Sequence, residues 1–377
     1  MELTLVLVVV LVALTFEYIN GFHDTANSIA TVVATKVLSP GQAVMLAAGM
    51  NLLGALLGTA VAKTIASGLI DANVVAVTPI ILICALLGAV IWNLITWWWG
   101  LPSSSSHALV GGLCGAALAA ASGNWSAIIW SEGGNHWWGE AGVLPKVVLP
   151  MIGSPIAGFV FGLLLMGLLY SLMIFLGSRT GVLQRFGRTR FANQFFGKAQ
   201  LVSASAMALS HGMNDAQKTM GIIALALATA TAAGTLDQVP GWMHFLRVDA
   251  DAGSKFEIAL WIKVLCALVM AAGTAAGGWR IIKTLGHKMV KLHPVNGFAA
   301  ETAAASVILT ASHFGIPVST THNISSAILG VGVAKRVNAI RWTIVERMVW
   351  AWILTLPVSG GIAWLLVEVA RGLGWIA

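Results

Sequence analysis

Long apolar stretches alternate with short polar segments along nearly the whole chain. A helix needs about 20 apolar residues to cross the hydrocarbon core of a bilayer, and most of the stretches approach or exceed that length. Two of them, 108–122 and 324–334, are too short to cross alone, and each follows a proline and a run of hydroxyl residues. The pattern predicts an all-α integral membrane protein. The stretches are roughly 3–19, 43–70, 75–99, 108–122, 147–177, 199–232, 257–279, 298–313, 324–334 and 343–370.

The composition excludes a water-soluble enzyme and an intrinsically disordered chain. Of the 377 residues, 58% are hydrophobic and only 9% are charged, against about 25% charged residues in ordinary soluble domains. The net charge of +7 comes mostly from basic residues at the ends of apolar stretches. It therefore reflects membrane topology and gives no reason to expect a nucleic-acid partner. The three cysteines form no CxxC pair, so neither a disulfide framework nor a cysteine metal site is expected.

The distribution of basic residues predicts the orientation in the membrane. Segments 178–198, 280–291 and 335–347 are rich in Lys and Arg, whereas 123–146 and 234–256 mix basic with acidic residues. The positive-inside rule places the first three segments in the cytoplasm and the last two outside. The chain between the second and third basic segments must then enter and leave the membrane on the same side, as a re-entrant hairpin or a pair of spans.

Two short motifs occur once in each half of the chain, in the same order. INGFHDTANS at 19–28 resembles SHGMNDAQKT at 210–219, and LPSSSSH at 101–107 resembles IPVSTTH at 316–322. The predicted domains are therefore a first membrane repeat (1–177), a cytoplasmic basic linker (178–198) and a second membrane repeat (199–377). The basic segments give the two copies opposite directions. Two inverted-topology repeats with broken helices and re-entrant hairpins are typical of secondary transporters.

The hydroxyl runs predict an anion site. In lipid each hydroxyl needs a hydrogen-bond partner, and the plain alternative is a polar loop outside the membrane. However, Pro102 and Pro317 end the incoming helix in each copy, and a short apolar helix follows. Hydroxyls and free backbone N–H groups then gather at a helix N-terminus, which attracts anions. Two such ends facing each other at mid-membrane would suit a tetrahedral oxyanion.

Charged residues within the repeated motifs are the candidates for coupling. Asp24 and Asp215 lie in apolar segments at a predicted helix break, where each would also cap the second half-helix. A carboxylate inside the membrane costs free energy and indicates function. Lys218 lies opposite Asn27 in the repeat alignment and three residues after Asp215. Its ammonium would neutralise that aspartate and replace a bound cation; a snorkelling lysine is the alternative.

Other polar residues in apolar surroundings carry weaker signals. Glu301 is the best secondary candidate, because it lies on the helix that leads to the second hydroxyl run. A structural hydrogen bond between helices is an equally good interpretation of it. His107 and His322 follow the hydroxyl runs. A histidine there more often bonds neighbouring backbone than relays protons.

These motifs resemble the PiT family of inorganic phosphate transporters, and the resemblance extends over about residues 5–370. It implies two inverted repeats, each with a helical hairpin that carries a hydroxyl run, and phosphate held between the hairpins. The implied phosphate contacts are Ser104, Ser105, Ser106, Ser319, Thr320 and Thr321. The implied ion or coupling residues are Asp24, Asn27, Asp215 and Lys218. Asn214 and Glu301 are further candidates for coupling or charge compensation, taken from their positions in the sequence.

The second Asp motif departs from the sodium-coupled members of that family, which tend to have an asparagine in both copies. Lys218 stands there instead, as in the bacterial Pit proteins, which couple phosphate, often as a metal–phosphate complex, to protons. The expected coupling ion is H⁺. Na⁺ is the alternative, with Asp24, Asn27 and Asp215 as its ligands. No cofactor and no other metal site are expected.

The sequence thus predicts a symporter that imports inorganic phosphate by alternating access, in a bacterial-type inner membrane. Its partners would be phosphate, alone or with a metal, and the lipid bilayer, and a homodimer is left open. Three alternatives differ in class: the same architecture carrying another oxyanion such as sulfate, a channel, and an intramembrane serine hydrolase. The hydrolase would use Ser106 with His107 or His322 as a dyad, but the matched duplication argues against an enzyme.

Overall fold

The computed structural model describes residues 2–67, 69–71, 73–133, 139, 141–180, 184, 189–237, 239–248 and 257–376, which are helical over most of their length. The first half contains α1 (Glu2–Ala34), α2 (Pro40–Leu56), α3 (Ala60–Ser67), α4 (Pro79–Trp99), α5 (Ser105–Ala120) and α6 (Leu149–Gly177). The second half contains α7 (Thr189–Ala232), α8 (Leu260–Ala276), α9 (Trp279–Lys283), α10 (Pro294–His313), α11 (Thr320–Lys335) and α12 (Trp342–Gly372).

Several helices are long and apolar enough to cross a membrane. By length and composition, α1, α4, α12 and the helix Leu144–Gly177 that includes α6 each pass this test in the described part of the chain. The pairs α2–α3 and α8–α9 pass as bent spans, with bends of 69° and 58°. The chain is therefore a multi-pass membrane protein, as its hydropathy predicts.

The two halves contain matching elements in the same order. Each half runs from a long helix with the Asp motif through a bent helix pair and a further helix to a short helix that follows a hydroxyl run. Each then ends in a long helix with an internal proline, Pro155 or Pro357. The predicted linker 178–198 falls partly outside the described residues, and its last ten residues form the first turns of α7.

The halves pack against each other reciprocally. Helix α1 packs on α8 while α7 packs on α2, and α5 packs on α12 while α11 packs on α6. The first two crossings are equally close. A Cβ atom on Gly54 of α2 would lie 2.1 Å from the carbonyl oxygen of Leu209, and one on Gly273 of α8 would lie 2.2 Å from that of Tyr18. This exchange of contacts agrees with two repeats related by a pseudo-two-fold axis.

The predicted helix breaks at the Asp motifs are wrong. Helix α1 runs unbroken through Asp24, and α7 runs unbroken through Asp215. The breaks lie instead within the bent pairs, where Gly58 and Gly277 have positive φ angles of +124° and +73°. The glycine of the first Asp motif, Gly21, serves helix packing, because a Cβ there would lie 2.4 Å from a carbonyl oxygen of α8.

Candidate functional site

The two hydroxyl runs begin their helices in the same way. Each incoming helix is followed by a glycine in the left-handed conformation, Gly100 (φ +66°) or Gly315 (φ +65°). The chain then extends through the proline to an N-cap serine, Ser104 for α5 and Ser319 for α11. Each serine Oγ accepts a hydrogen bond from the backbone N–H three residues later, at 3.2 and 3.1 Å. The free N–H groups of two helix ends therefore gather beside the hydroxyls, as predicted.

Asp24 receives hydroxyl groups from both runs. Ser105 Oγ donates to Asp24 Oδ2 at 2.7 Å, and Thr321 Oγ1 donates to Asp24 Oδ1 at 3.4 Å. His23 Nδ1 lies 2.6 Å from the same Oδ1. All four side chains are buried. The first Asp motif thus faces the hydroxyl runs of both repeats from one side of the site.

Lys218 links the second Asp motif to the first hydroxyl run. Its ammonium donates hydrogen bonds to Asp215 Oδ1 and to Ser106 Oγ, and a third to the backbone oxygen of Val318 at 3.1 Å. Thr320 Oγ1 donates to the other oxygen of Asp215, at 2.9 Å. The lysine is 2% exposed. It therefore does not snorkel to the membrane surface, and its charge is held inside the site.

Asn27 occupies the position on α1 that the repeat alignment pairs with Lys218. Its amide donates to Thr320 Oγ1 at 3.2 Å and to Thr321 Oγ1 at 2.9 Å. Asn27 therefore contacts hydroxyl groups of the second repeat, whereas the hydroxyl that Lys218 contacts, that of Ser106, belongs to the first. The two motifs cross over between the repeats, which places an amide on one side of the site and an ammonium on the other.

Asp24, His211 and Asp215 bring potential cation ligands together. One ligand atom from each of the three lies within 4.8 Å of the others, and all three side chains are buried. His211 Nε2 is 3.1 Å from Asp215 Oδ2. Because Lys218 already holds the other oxygen of Asp215, a cation bound here would share that carboxylate with an ammonium group.

Two residues of the predicted set have side-chain partners other than the hydroxyl groups of the two runs. Asn214 donates to Ser312 Oγ at 2.8 Å, near the end of α10, and to the backbone oxygen of Ile316 at 3.3 Å. Glu301 accepts hydrogen bonds that join α10 to α1 and α7. Its donors are Thr31 at 2.5 Å, Gln200 at 3.0 Å and Ser203. A part in ion coupling for either residue stays a prediction.

Sequence reasoning missed two polar partners of the site. Asn20 Oδ1 accepts a hydrogen bond from Ser105 at 2.6 Å. It lies four residues before Asp24, and this helical spacing could have identified it. Thr96 on α4 accepts from Ser103 at 2.8 Å and lies 3.2 Å from His23 Nε2. No local pattern marks Thr96, because its role depends on how α4 packs against α1.

The dyad proposed for a serine hydrolase does not form. Ser106 is bonded to Lys218 and lies 3.5 Å from a backbone oxygen of the second hydroxyl run. The ring nitrogens of His107 have no partner among the described residues. The rings of His107 and His322 instead meet edge to face, with 4.7 Å between their centroids, and His322 stacks on Trp352. The histidines thus join the two hairpins at their helix starts.

Comparison with known proteins identifies the family. The model of the PHO4 phosphate transporter family matches residues 20–363. The chain belongs to this family. A probable low-affinity inorganic phosphate transporter of Bacillus subtilis is 40% identical, and the match covers 97% of this chain and 98% of that protein. One of Rhizobium meliloti with the same description is 43% identical, with 92% and 91% covered.

A solved structure has the same fold. A sodium-dependent phosphate transporter superposes with a TM-score of 0.74 over 98% of this chain and 99% of its own, at 22% identity. This likeness supports the expected architecture of inverted repeats. Members of the phosphate transporter family are transporters and not enzymes, so the family assignment excludes the hydrolase alternative. The resemblance drawn from the repeated motifs is confirmed.

Proposed function

We propose that this protein imports inorganic phosphate across the inner membrane by proton-coupled symport. The observation that supports this most strongly is the contact of Lys218 with both Asp215 and Ser106. A fixed positive charge then lies against the hydroxyl run that would bind the anion. The family and the relatives described as low-affinity inorganic phosphate transporters support phosphate as the substrate.

The anion would bind between the N-termini of α5 and α11. Helix N-termini carry partial positive charge and free N–H groups, which favour tetrahedral oxyanions. Four hydroxyls stand beside them, on Ser105, Ser106, Thr320 and Thr321, with the N-cap serines Ser104 and Ser319. A hydroxyl has one proton to donate. Thr320 and Thr321 direct theirs to carboxylates, and the proton of Ser105 is shared between the Asp24 carboxylate and the amide oxygen of Asn20. Phosphate and the two aspartates therefore compete for the same donors.

That competition would couple the cation to phosphate. A cation that neutralises Asp24 weakens this carboxylate as a hydrogen-bond acceptor and releases Ser105 and Thr321 for phosphate. Binding of the two ligands is then cooperative, because each favours the same arrangement of hydroxyls. Import also requires such a cation on electrical grounds. Phosphate has a second pKa of about 6, and each negative charge moved inward against the membrane potential costs about 2.3 kcal/mol per 100 mV.

The choice of proton over sodium follows from Lys218. Its ammonium occupies one oxygen of Asp215, where a metal cation would otherwise bind, so the protein supplies part of the compensating charge itself. The second candidate is Na⁺ held by Asp24, Asn27 and Asp215, and the close approach of Asp24, His211 and Asp215 favours it. A metal–phosphate complex would also reduce the transported charge.

Alternating access would proceed by relative movement of the interlocked repeats. The three basic segments of the sequence give the orientation, with 178–198, 280–291 and 335–347 in the cytoplasm. In this orientation α1 runs from the outer side toward the cytoplasm. The hydroxyl runs would be exposed to each side in turn.

The test is uptake of labelled phosphate by the purified protein in proteoliposomes, with proton and sodium gradients imposed separately. We expect accumulation against the phosphate gradient when a proton gradient is imposed, and weak competition by sulfate. Accumulation driven by a sodium gradient alone would show that Na⁺, and not H⁺, is the coupling ion. Equal competition by sulfate would show that the site is not specific for phosphate, and transport that never exceeds equilibrium would indicate a channel.

A further inference from the structure

Glu17 is a buried acid that the site described above does not use. It lies on α1 seven residues before Asp24, about 10.5 Å along the helix and on the same face, and its exposed fraction is 0%. Its Oε2 accepts a hydrogen bond from Thr219, the residue after Lys218 on α7. Its Oε1 has no hydrogen-bond partner among the described residues.

Glu17 breaks the symmetry of the repeats at the same place as Lys218. The alignment that pairs Asp24 with Asp215 pairs Glu17 with Ala208, an apolar residue. The same alignment pairs Lys218 with Asn27. The chain therefore adds one basic and one acidic side chain to the symmetric motif. The acid bonds to Thr219, the chain neighbour of the basic residue.

Burial of Glu17 and the nearby carboxylate of Asp215 disfavour its charged form, whereas the hydrogen bond from Thr219 and the ammonium of Lys218 favour it. The charged and titratable groups that face it are Asp215 and Lys218 on α7 and Cys266 on α8. The ammonium of Lys218 directs its three protons to Asp215, Ser106 and the backbone oxygen of Val318. A second carboxylate beside the Asp215–Lys218 pair would be an uncompensated charge in a low-dielectric interior. The neutral acid avoids this, and its proton can be carried on the unpartnered Oε1.

We propose that Glu17 is a proton-carrying residue of the transport cycle, which takes up a proton on the outer side of the phosphate site, in addition to the cation that neutralises Asp24. This inference rests on the proposed proton symport. The proton comes from the external water, forms an O–H bond on the Glu17 carboxylate, and is lost to the cytoplasm after phosphate has left. Phosphate bound at Ser106, whose hydroxyl contacts Lys218, adds negative charge beside that ammonium and so favours the protonated acid. By reciprocity, the protonated acid favours phosphate binding.

The experiment compares two transport modes in proteoliposomes that contain the full-length protein. Exchange of labelled for unlabelled phosphate needs no net proton movement, whereas accumulation driven by a proton gradient does. In Glu17→Gln, which imitates the protonated acid, we expect exchange to remain near that of the unchanged protein. We expect proton-driven accumulation, and the accompanying alkalinisation of the medium, to fall about tenfold or more, within the usual range of coupling between linked sites.

Two further variants separate proton transfer from a structural role. Glu17→Asp keeps a carboxyl group but changes its length, so it should accumulate phosphate better than Glu17→Gln while exchanging no faster. A purely structural role predicts the reverse order for accumulation, because glutamine preserves the shape. Glu368→Gln on α12 is the matched control: Glu368 is a partly exposed acid paired with Arg371, and both transport modes should be unchanged.

The outcomes distinguish this inference from the proposed function. If the unchanged protein accumulates phosphate with a sodium gradient and not with a proton gradient, proton symport itself fails. If the unchanged protein accumulates phosphate with a proton gradient and Glu17→Gln accumulates it equally well, only the role of Glu17 is overturned. Equal loss of exchange and accumulation in both Glu17 variants, with normal reconstitution, would also overturn it in favour of helix packing.

Discussion

Lys218 donates a hydrogen bond to the hydroxyl of Ser106, so α7 of the second repeat contacts the hydroxyl run of the first. The equivalent residue of the first repeat, Asn27, donates across to Thr321 at 2.9 Å. One side of the site therefore presents a neutral amide and the other an ammonium group. Because positions 27 and 218 are otherwise equivalent, the first test removes this difference in charge by substituting Lys218.

Lys218→Asn should restore the symmetric pair of amides and change the coupling ion. Without the ammonium, Asp215 regains a free oxygen that a metal cation can bind. We expect proton-driven phosphate uptake to fall about tenfold, in the range of typical coupling factors, and a sodium gradient to stimulate what remains. The measurement is uptake in proteoliposomes over a range of pH, with and without sodium.

A matched control is Lys263→Asn on α8, since Lys263 also lies in an apolar helix but belongs to neither repeated motif. That variant should keep the pH profile and the ion dependence of the unchanged protein. If Lys218→Asn keeps them too, the ammonium does not replace a bound cation.

Asp24→Asn should abolish uptake while the protein still inserts in the membrane. Asp24 accepts hydrogen bonds from Ser105 and Thr321. In asparagine one of the two acceptor oxygens becomes an amide nitrogen, which is a donor and cannot accept a hydrogen bond from a hydroxyl. The variant also removes the charge that a coupling cation neutralises. The control is Asp71→Asn in the connection between α3 and α4, where the carboxylate accepts from the backbone of Asn73 at 2.8 Å. Undiminished uptake by Asp24→Asn would contradict a role of the Asp24 carboxylate in transport.

The site was predictable from the sequence where its signal is local. Hydroxyl runs after a proline and a charged motif within an apolar segment are visible in a single stretch of chain. Their duplication showed which polar residues belong together. The structure brings most of them to one buried site, with Ser105, Thr320 and Thr321 bonded to the two aspartates.

The features that the sequence did not predict depend on contacts between distant segments. The sequence predicts a helix break at the first Asp motif, but Gly21 of that motif lies in an unbroken helix against the backbone of Met270. The partners Thr96 and Trp352 come from helices whose packing cannot be predicted from any local sequence pattern. Trp352 stacks on His322 and donates to the backbone oxygen of Pro102 at 3.1 Å, so it contacts both hairpins.

Ser104→Asp should weaken phosphate binding while keeping an N-cap on α5. Aspartate is as good an N-cap as serine, so the helix start is preserved, but the added carboxylate repels an anion at the same helix end. We expect the KM for phosphate to rise about tenfold or more, by loss of the favourable field at the helix N-terminus. The measurement is the concentration dependence of phosphate uptake at a fixed proton gradient.

Two variants control for helix capping. Ser39→Asp makes the same exchange at the N-cap of α2, where Ser39 accepts from the backbone of Gln42, and should leave the KM unchanged. Ser104→Ala removes the cap, with a loss of about 1 kcal/mol of stability, but adds no negative charge and should raise the KM less. A normal KM in Ser104→Asp would place the anion away from this helix end.

Gly54→Ala should destabilise the crossing between α2 and α7. The new Cβ would lie 2.1 Å from the carbonyl oxygen of Leu209, so the helices must separate, at a cost of about 1–3 kcal/mol. The thermal midpoint of the detergent-purified protein should fall. Gly273→Ala should do the same at the equivalent crossing of α8 and α1, where the distance to Tyr18 is 2.2 Å. Gly49 is also on α2, but an added Cβ there has no neighbour within 4 Å from the other described segments. Gly49→Ala should therefore be neutral or stabilising; equal midpoints for Gly49→Ala and Gly54→Ala would contradict the close crossing.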